Sequence, residues 1–85
     1  MIQNWSSMTT TVAQIRAARG LLGWSQTRLG EAADLSLPTV KRFETGSASV
    51  SSDAVEAMRS ALEAAGVIFV AENGEGPGVR LKKER

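Results

Sequence analysis

The sequence predicts a mainly α-helical fold that ends in a short β-hairpin. As far as residue 65, apolar side chains recur at the three- and four-residue intervals of amphipathic helices. From Val67 onward the period changes to two, which is the period of a strand. We therefore expect a flexible tail at residues 1–10, a helical domain at 11–66 and a hairpin at 67–85. The helices are expected to start after residues that suit an N-cap, namely Thr11, Ser25, Ser36 and either Ser51 or Ser52.

Helix 1 is expected to run from its cap at Thr11 to about Arg19. Its apolar stripe continues beyond Gly20, but Gly20 and Gly23 are expected to break the helix. The side chains expected to turn toward the core from this segment are Val12, Ile15, Leu21, Leu22 and Trp24.

Residues 26–46 predict two short helices joined by a tight turn. Helix 2 is expected to end near Ala33, and helix 3 to start after Ser36 and stop at Gly46. Pro38 is acceptable in the first turn, where its missing N–H would have no partner. Leu29, Val40 and Phe43 are expected to be buried, and Gly30 is expected to let the two helices approach closely.

Helix 4 is expected to bury Val55, Met58, Leu62 and Ala65 and to end at Gly66. The strands are expected at residues 67–72 and 78–83, around a glycine-rich turn. A lone hairpin is barely stable in water, so it should pair with another surface. Two copies that meet across a two-fold axis would form a four-stranded sheet. The residues expected to make this homodimer contact are Ile68, Val70, Val79 and Leu81.

Composition argues against several classes of function. The 85 residues make one small domain with no cysteine and no histidine. This excludes disulfides, zinc fingers and histidine acid–base chemistry, so we expect no enzyme activity, no cofactor and no metal. No apolar run approaches the roughly 18 residues of a membrane span, and the N-terminus lacks the pattern of a signal peptide. We expect a cytoplasmic protein without a membrane partner.

The helix pair at residues 26–46 has the layout of a helix-turn-helix, whose second helix lies in the major groove of DNA. Around it, the stretch from Ile15 to Val67 resembles, without gaps, the Cro-like or XRE regulators of bacteria and phages, which have a lambda-repressor-like fold. One departure is Asp34, where that family usually has glycine in a left-handed turn, although aspartate also visits this conformation. The resemblance rests on Arg19, Gln26, Ser36, Glu44 and the Glu-x-Gly that ends at Gly46.

The resemblance implies a role for each of these positions. Arg19 and Glu44 would form a structural ion pair between helices 1 and 3. Contacts to the DNA backbone are expected from Ser25, Gln26, Ser36 and Thr39. Lys41 and Arg42 can donate to guanine edges, whereas Leu37 and Pro38 suit contact with a thymine methyl group. The base-reading set is therefore Leu37, Pro38, Lys41 and Arg42.

Other interpretations of these residues stay open. For Lys41 and Arg42 the alternative is a solvated helix face, and for Leu37 it is a local packing contact. Arg28 either reaches a phosphate or pairs with Glu31 three residues later. A solvated strand face is the alternative to a wing against DNA formed by Arg80, Lys82 and Lys83.

Together these observations predict a transcriptional regulator that binds double-stranded DNA as a homodimer. A formal net charge of only +1 predicts modest non-specific affinity, so binding should need a dimer and a matched inverted repeat. Repression is the regulatory effect we expect. The alternative is an antitoxin or anti-activator of the same fold whose main role is to bind a protein partner. An apolar surface left exposed on the tail or hairpin, beyond what dimerisation uses, would indicate that alternative.

Overall fold

The computed structural model describes residues 10–46 and 50–83. It confirms the predicted fold class, since helices are followed by an antiparallel hairpin. Except for Thr10, the expected tail at residues 1–10 lies outside the described residues, as do residues 47–49 of the loop before the last helix. The elements are α1 (Val12–Leu22), α2 (Gln26–Ala33), α3 (Leu37–Thr45), α4 (Ser52–Ala64), β1 (Val67–Val70) and β2 (Gly78–Leu81).

A hydroxyl group caps the start of every helix. In each case the side-chain oxygen accepts the main-chain N–H three residues later, which satisfies one of the donors that a helix start leaves without a partner. The predicted caps are confirmed, and α4 uses Ser51. The four caps are Thr11, Ser25, Ser36 and Ser51.

Helix α1 is longer than expected, because it ends at Leu22 and not near Arg19. Gly20 lies inside the helix on an exposed face, where glycine costs about 0.5–1 kcal/mol relative to alanine but does not break the helix. Gly23 ends it with φ 71°, and its N–H donates to the carbonyl oxygens of Arg19 and Gly20. The expectation that Leu21 enters the core is wrong, since this residue is 44% exposed.

The turn between α2 and α3 holds these two helices close together. Asp34 adopts the expected left-handed conformation, with φ 60° and ψ 44°. Gly30 is buried, and a Cβ atom there would lie 2.8 Å from the carbonyl oxygen of Leu35 and 3.6 Å from Cγ2 of Val40. The close approach expected at Gly30 is therefore confirmed.

One apolar core joins the helices to the hairpin. It includes the expected Ile15, Leu29, Val40, Met58 and Leu62. Ala65, which was expected on the buried stripe of α4, is instead its half-buried C-cap. Half-buried side chains that pack against the core include Leu22, Trp24, Phe43, Val55, Phe69 and Val79.

The hairpin packs against its own chain. Its strands pair from Val67 opposite Leu81 to Val70 opposite Gly78, so each is two residues shorter than expected. Glu72 belongs to the loop, where its carboxylate accepts the N–H groups of Gly74 and Gly76. Helices α1 and α4 contact the hairpin, so part of the partner surface expected for it lies within the chain.

Gln14 attaches the hairpin to α1. Its buried side-chain amide donates to the carbonyl oxygens of Val70, at 3.2 Å, and of Gly78, at 2.9 Å. The Oε1 atom of Gln14 accepts the main-chain N–H of Thr11, which completes a capping box at the start of α1. One side chain therefore fixes both the start of α1 and the loop end of the hairpin.

Candidate nucleic-acid interface

Helix α3 has one buried face and one exposed, positively charged face. Val40 and Glu44, four residues apart, are buried against the domain. Lys41 and Arg42 point to solvent, and their side chains make no hydrogen bond or ion pair with the residues that the structure describes. Because nothing within that part of the chain compensates their charge, both can meet an external acceptor.

The start of α3 exposes small polar and apolar groups. Pro38 is exposed in the first turn and Leu37 is half-buried. The hydroxyl oxygens of Ser36 and Thr39 lie 2.8 Å apart, and Ser36 Oγ also accepts the N–H of Thr39 at 3.3 Å. A hydrogen bond between two hydroxyls uses only one O–H, so the other can donate to an external group.

A polar network anchors the end of α3. The Nε and Nη2 atoms of Arg19 donate to Oε2 and Oε1 of Glu44, each at 2.7 Å. Nη1 of Arg19 donates to the carbonyl oxygen of Trp24 at 2.8 Å, and Nε2 of Gln26 donates to Oε1 of Glu44 at 3.0 Å. The pair implied by the family resemblance therefore joins α1, the start of α2 and α3.

Both members of the pair are charged at neutral pH. Hydrogen bonding to Glu44 raises the pKa of Arg19 above its ordinary value. Burial raises the pKa of Glu44, but hydrogen bonds from Arg19 and Gln26 and the charges of Arg19 and Arg16 more than offset this effect. The pKa of Glu44 therefore lies below its ordinary value, and the interaction is ionic.

The two residues at the start of α2, Ser25 and Gln26, both make hydrogen bonds within the domain. The exposed Ser25 accepts the N–H of Arg28 as the helix cap, which leaves its O–H as a donor. Gln26 is half-buried and donates to Glu44, yet a primary amide has a second N–H and a carbonyl oxygen. Both side chains can therefore contact a phosphate without losing their internal bonds.

Arg28 makes a contact that neither of its two interpretations predicted, and its contact with a phosphate stays a prediction. Its guanidinium carbon lies 4.8 Å from the centroid of the Trp24 ring, within the range of a cation–π contact. No ion pair joins Arg28 to Glu31 among the described residues. Sequence reasoning missed this contact, although the spacing of four residues between Trp24 and Arg28 could have indicated it.

The four residues expected at a dimer contact do not share one face of the hairpin. Directly opposite residues of an antiparallel pair lie on the same face, which groups Val79 and Leu81 with Val67. Val79 packs against the core of its own chain, whereas Leu81 is 46% exposed. Ile68 and Val70 lie on the opposite face, where Ile68 is 41% exposed.

The basic residues of β2 and its C-terminal extension belong to a part of the domain that packs on α1 and α4. Arg80, Lys82 and Lys83 are all exposed, and Arg80 lies opposite Ile68 on the outward face. By contrast, α3 packs against α1 and α2. This arrangement favours the interpretation of these residues as a solvated strand face over their interpretation as a wing against DNA.

Comparison with known proteins places the chain in a family. A family model described as a helix-turn-helix domain matches residues 12–67, which is more than half of the chain and includes all of α1 to α4. No curated protein matches. In the part of the chain that the structure describes, no helix is long and apolar enough to cross a bilayer, and no side-chain cluster could hold a metal ion. By its match over these four helices, the chain belongs to the helix-turn-helix domain family of DNA-binding proteins.

Proposed function

We propose that the chain is a sequence-specific regulator of the Cro-like or XRE kind, which represses transcription as a homodimer on an inverted repeat. The observation that carries this proposal is the exposed face of α3, where Lys41 and Arg42 have no partner among the described residues. Membership of a helix-turn-helix family supports double-stranded DNA as the partner. Exposed cations without an internal partner are available to bind base edges and their flanking phosphates.

Base reading would come from the exposed side of α3. Arg42 can donate two hydrogen bonds to O6 and N7 of one guanine, and Lys41 can donate to a neighbouring acceptor. Pro38 is exposed at the tip of the helix and suits contact with a thymine methyl group. Leu37 is half-buried, so it would contribute the part of its side chain that faces outward.

Backbone contacts would fix how α3 enters the groove. Ser25 and Gln26 stand at the start of α2, and Ser36 and Thr39 at the start of α3. Their spare donors can bind phosphate oxygens on either side of the groove. Such contacts position the protein equally on every sequence, so they leave specificity to α3.

A homodimer would supply the contacts that one domain lacks. The net charge of +1 gives little non-specific attraction to DNA, and one reading helix covers only one half-site. Ile68 and Leu81 are exposed apolar residues on opposite faces of the hairpin, and a second copy that packs on the outward face would cover Ile68. Two reading helices about 34 Å apart would then meet successive major grooves on one side of the duplex.

The same exposed residues support a second candidate function. If a different protein covers Ile68 and Leu81, the chain would act as an antitoxin or anti-activator of this fold. The two candidates differ in the mass of the purified chain, which is that of a dimer only in the first. They also differ in whether the chain alone binds its selected DNA tightly.

Selection from random DNA with the purified chain tests the leading proposal. Sequencing should yield an inverted repeat, and Arg42→Ala should weaken binding to it by about 1–3 kcal/mol and relax one position in each half-site. Lys82→Ala removes one exposed charge from the extension of β2 and serves as the matched control. Base reading by α3 would be contradicted if the selected DNA showed no enriched sequence, or if the two variants lost equal affinity.

A further inference from the structure

A cleft beside the proposed reading helix is lined by polar residues. It has a volume of about 420 Å³ and opens to solvent. It lies between α1, the first residue of α2 and the last two residues of α3. The lining residues are Arg16, Arg19, Gln26, Glu44 and Thr45.

The cleft carries one surplus positive charge. Arg19 and Glu44 neutralise each other through two hydrogen bonds. Arg16 lies three residues before Arg19 on the same side of α1, and it is exposed. Its side chain makes no hydrogen bond or ion pair with the described residues, although its charge helps to lower the pKa of Glu44. Arg16 is therefore available to bind an anion at the mouth of the cleft.

The carboxylate in the cleft need not repel such an anion. Both oxygens of Glu44 accept hydrogen bonds from Arg19, and Oε1 also accepts one from Gln26. Gln26 keeps a second amide N–H, since only one bond from its Nε2 goes to Glu44. A guanidinium and an amide donor thus line the same polar cleft, which is a suitable combination for a phosphate oxyanion.

We propose that Arg16 and Gln26 bind one backbone phosphate of the DNA duplex in this cleft. The inference rests on the proposed function, and it adds Arg16 to the backbone contacts expected at the starts of α2 and α3. The cleft adjoins Thr45 at the end of α3 and Gln26 at the start of α2, the two elements proposed to face DNA. A phosphate strand that borders the groove would therefore pass its opening.

The salt dependence of DNA binding tests this contact. The selected duplex and an unrelated duplex would be titrated with wild type, Arg16→Gln and Arg16→Lys between about 50 and 200 mM salt. Arg16→Gln should lower the affinity for both duplexes severalfold and reduce the slope of log K against log salt by about one. Arg16→Lys keeps the charge and should retain most of the slope. Lys83→Gln removes one positive charge from an exposed residue beyond β2 and should leave the slope unchanged.

The outcomes separate this inference from the proposed function. If wild type binds neither duplex at low salt, the proposed function itself fails. If wild type binds but Arg16→Gln keeps the wild-type slope, or loses no more affinity than Lys83→Gln, the contact at Arg16 is disproved. In a second test, inorganic phosphate is titrated at constant ionic strength, and NMR of the Gln26 side-chain amide reports binding. Saturable phosphate binding that needs Arg16, combined with an unchanged DNA slope, would assign the cleft to free phosphate and overturn the DNA assignment. Thermal melting of each variant checks that it remains folded.

Discussion

The guanidinium of Arg19 donates to both carboxylate oxygens of Glu44, and both distances are 2.7 Å. Two parallel bonds fix the orientation of a pair as well as its distance. The side chain of Glu44 is only 3% exposed and that of Arg19 20%, so water competes weakly with the contact. The proposed reading helix is therefore held at its end by α1, in addition to the packing of Val40 beneath it.

Glu44→Ala should destabilise the domain, because it leaves the guanidinium of Arg19 without its anion. Removing one member of a fully buried pair costs about 3–5 kcal/mol, and the partial exposure of Arg19 places the loss near the lower end. Thermal and urea unfolding measure it. Glu63→Ala also removes the carboxylate of an ion pair, with Arg59, but the side chain of Glu63 is 44% exposed, so the cost should stay below about 1 kcal/mol. Equal effects of the two substitutions would show that the Arg19 pair is solvated.

The same pair should make the domain sensitive to acid. The folded pKa of Glu44 lies below its ordinary value, so folding favours the carboxylate. This contribution is complete above the unfolded pKa of about 4.3 and is lost as the pH falls through the folded pKa. Glu44→Gln cannot ionise, so its unfolding free energy should fall less than that of wild type between pH 7 and about pH 3. Parallel pH profiles for the two proteins would rule out this assignment.

Local signals in the sequence predicted much of this architecture, because capping and periodicity act over three or four residues. Ser25 and Ser36 precede apolar stripes, and both cap helices as predicted. Helix α1 was predicted too short because a single glycine was read as a break, although an exposed Gly20 costs too little to end a helix whose other face is buried. The bonds from Gln14 to residues 56 and 64 positions away leave no local pattern at all. The same distinction applies to the candidate site. The exposed face of α3 can be predicted from the spacing of residues along the helix, whereas the cleft at Arg16 depends on how three helices pack together.

Alanine at the two helical glycines Gly20 and Gly30 should have effects of opposite sign. At Gly30 a Cβ atom would lie 2.8 Å from the main-chain oxygen of Leu35, so α2 and α3 must separate, at a cost of about 1–3 kcal/mol. At Gly20 no atom lies within 4 Å of the added Cβ, so the higher helix propensity of alanine should stabilise the domain by about 0.5–1 kcal/mol. Thermal melting of both variants gives the comparison. Two shifts in the same direction would refute the close packing inferred at Gly30.

Gln14→Ala should loosen the hairpin more than it loosens the reading helix. The change removes two hydrogen bonds to strand carbonyls and one to the main chain of Thr11, and a net loss of about 1–3 kcal/mol is expected. Amide hydrogen exchange should accelerate in β1 and β2 relative to α3. Ser60→Ala, an exposed change on α4, gives the baseline. Uniform acceleration across the domain would mean that Gln14 contributes only to global stability.

Lysine at Ile68 should convert the proposed homodimer into a monomer. Ile68 is 41% exposed on the outward face of β1, so a charged side chain there can reach water and the fold should survive. In a dimer that covers this face, two lysines would be forced together across the two-fold axis and lose their hydration. Sedimentation should then report half the wild-type mass, and affinity for the inverted repeat should fall because only one reading helix can bind at a time.

Leu21→Lys is the matched control for this change, because Leu21 is 44% exposed but lies at the end of α1, on a different element from the hairpin. It should leave the mass of the wild-type dimer unchanged. If Leu21→Lys dissociates the dimer and Ile68→Lys does not, the interface lies on the helices. If the wild type is itself a monomer that forms no dimer on DNA, the homodimer proposal is wrong. The exposed hairpin residues would then be the expected contact for a different protein, as the antitoxin proposal requires.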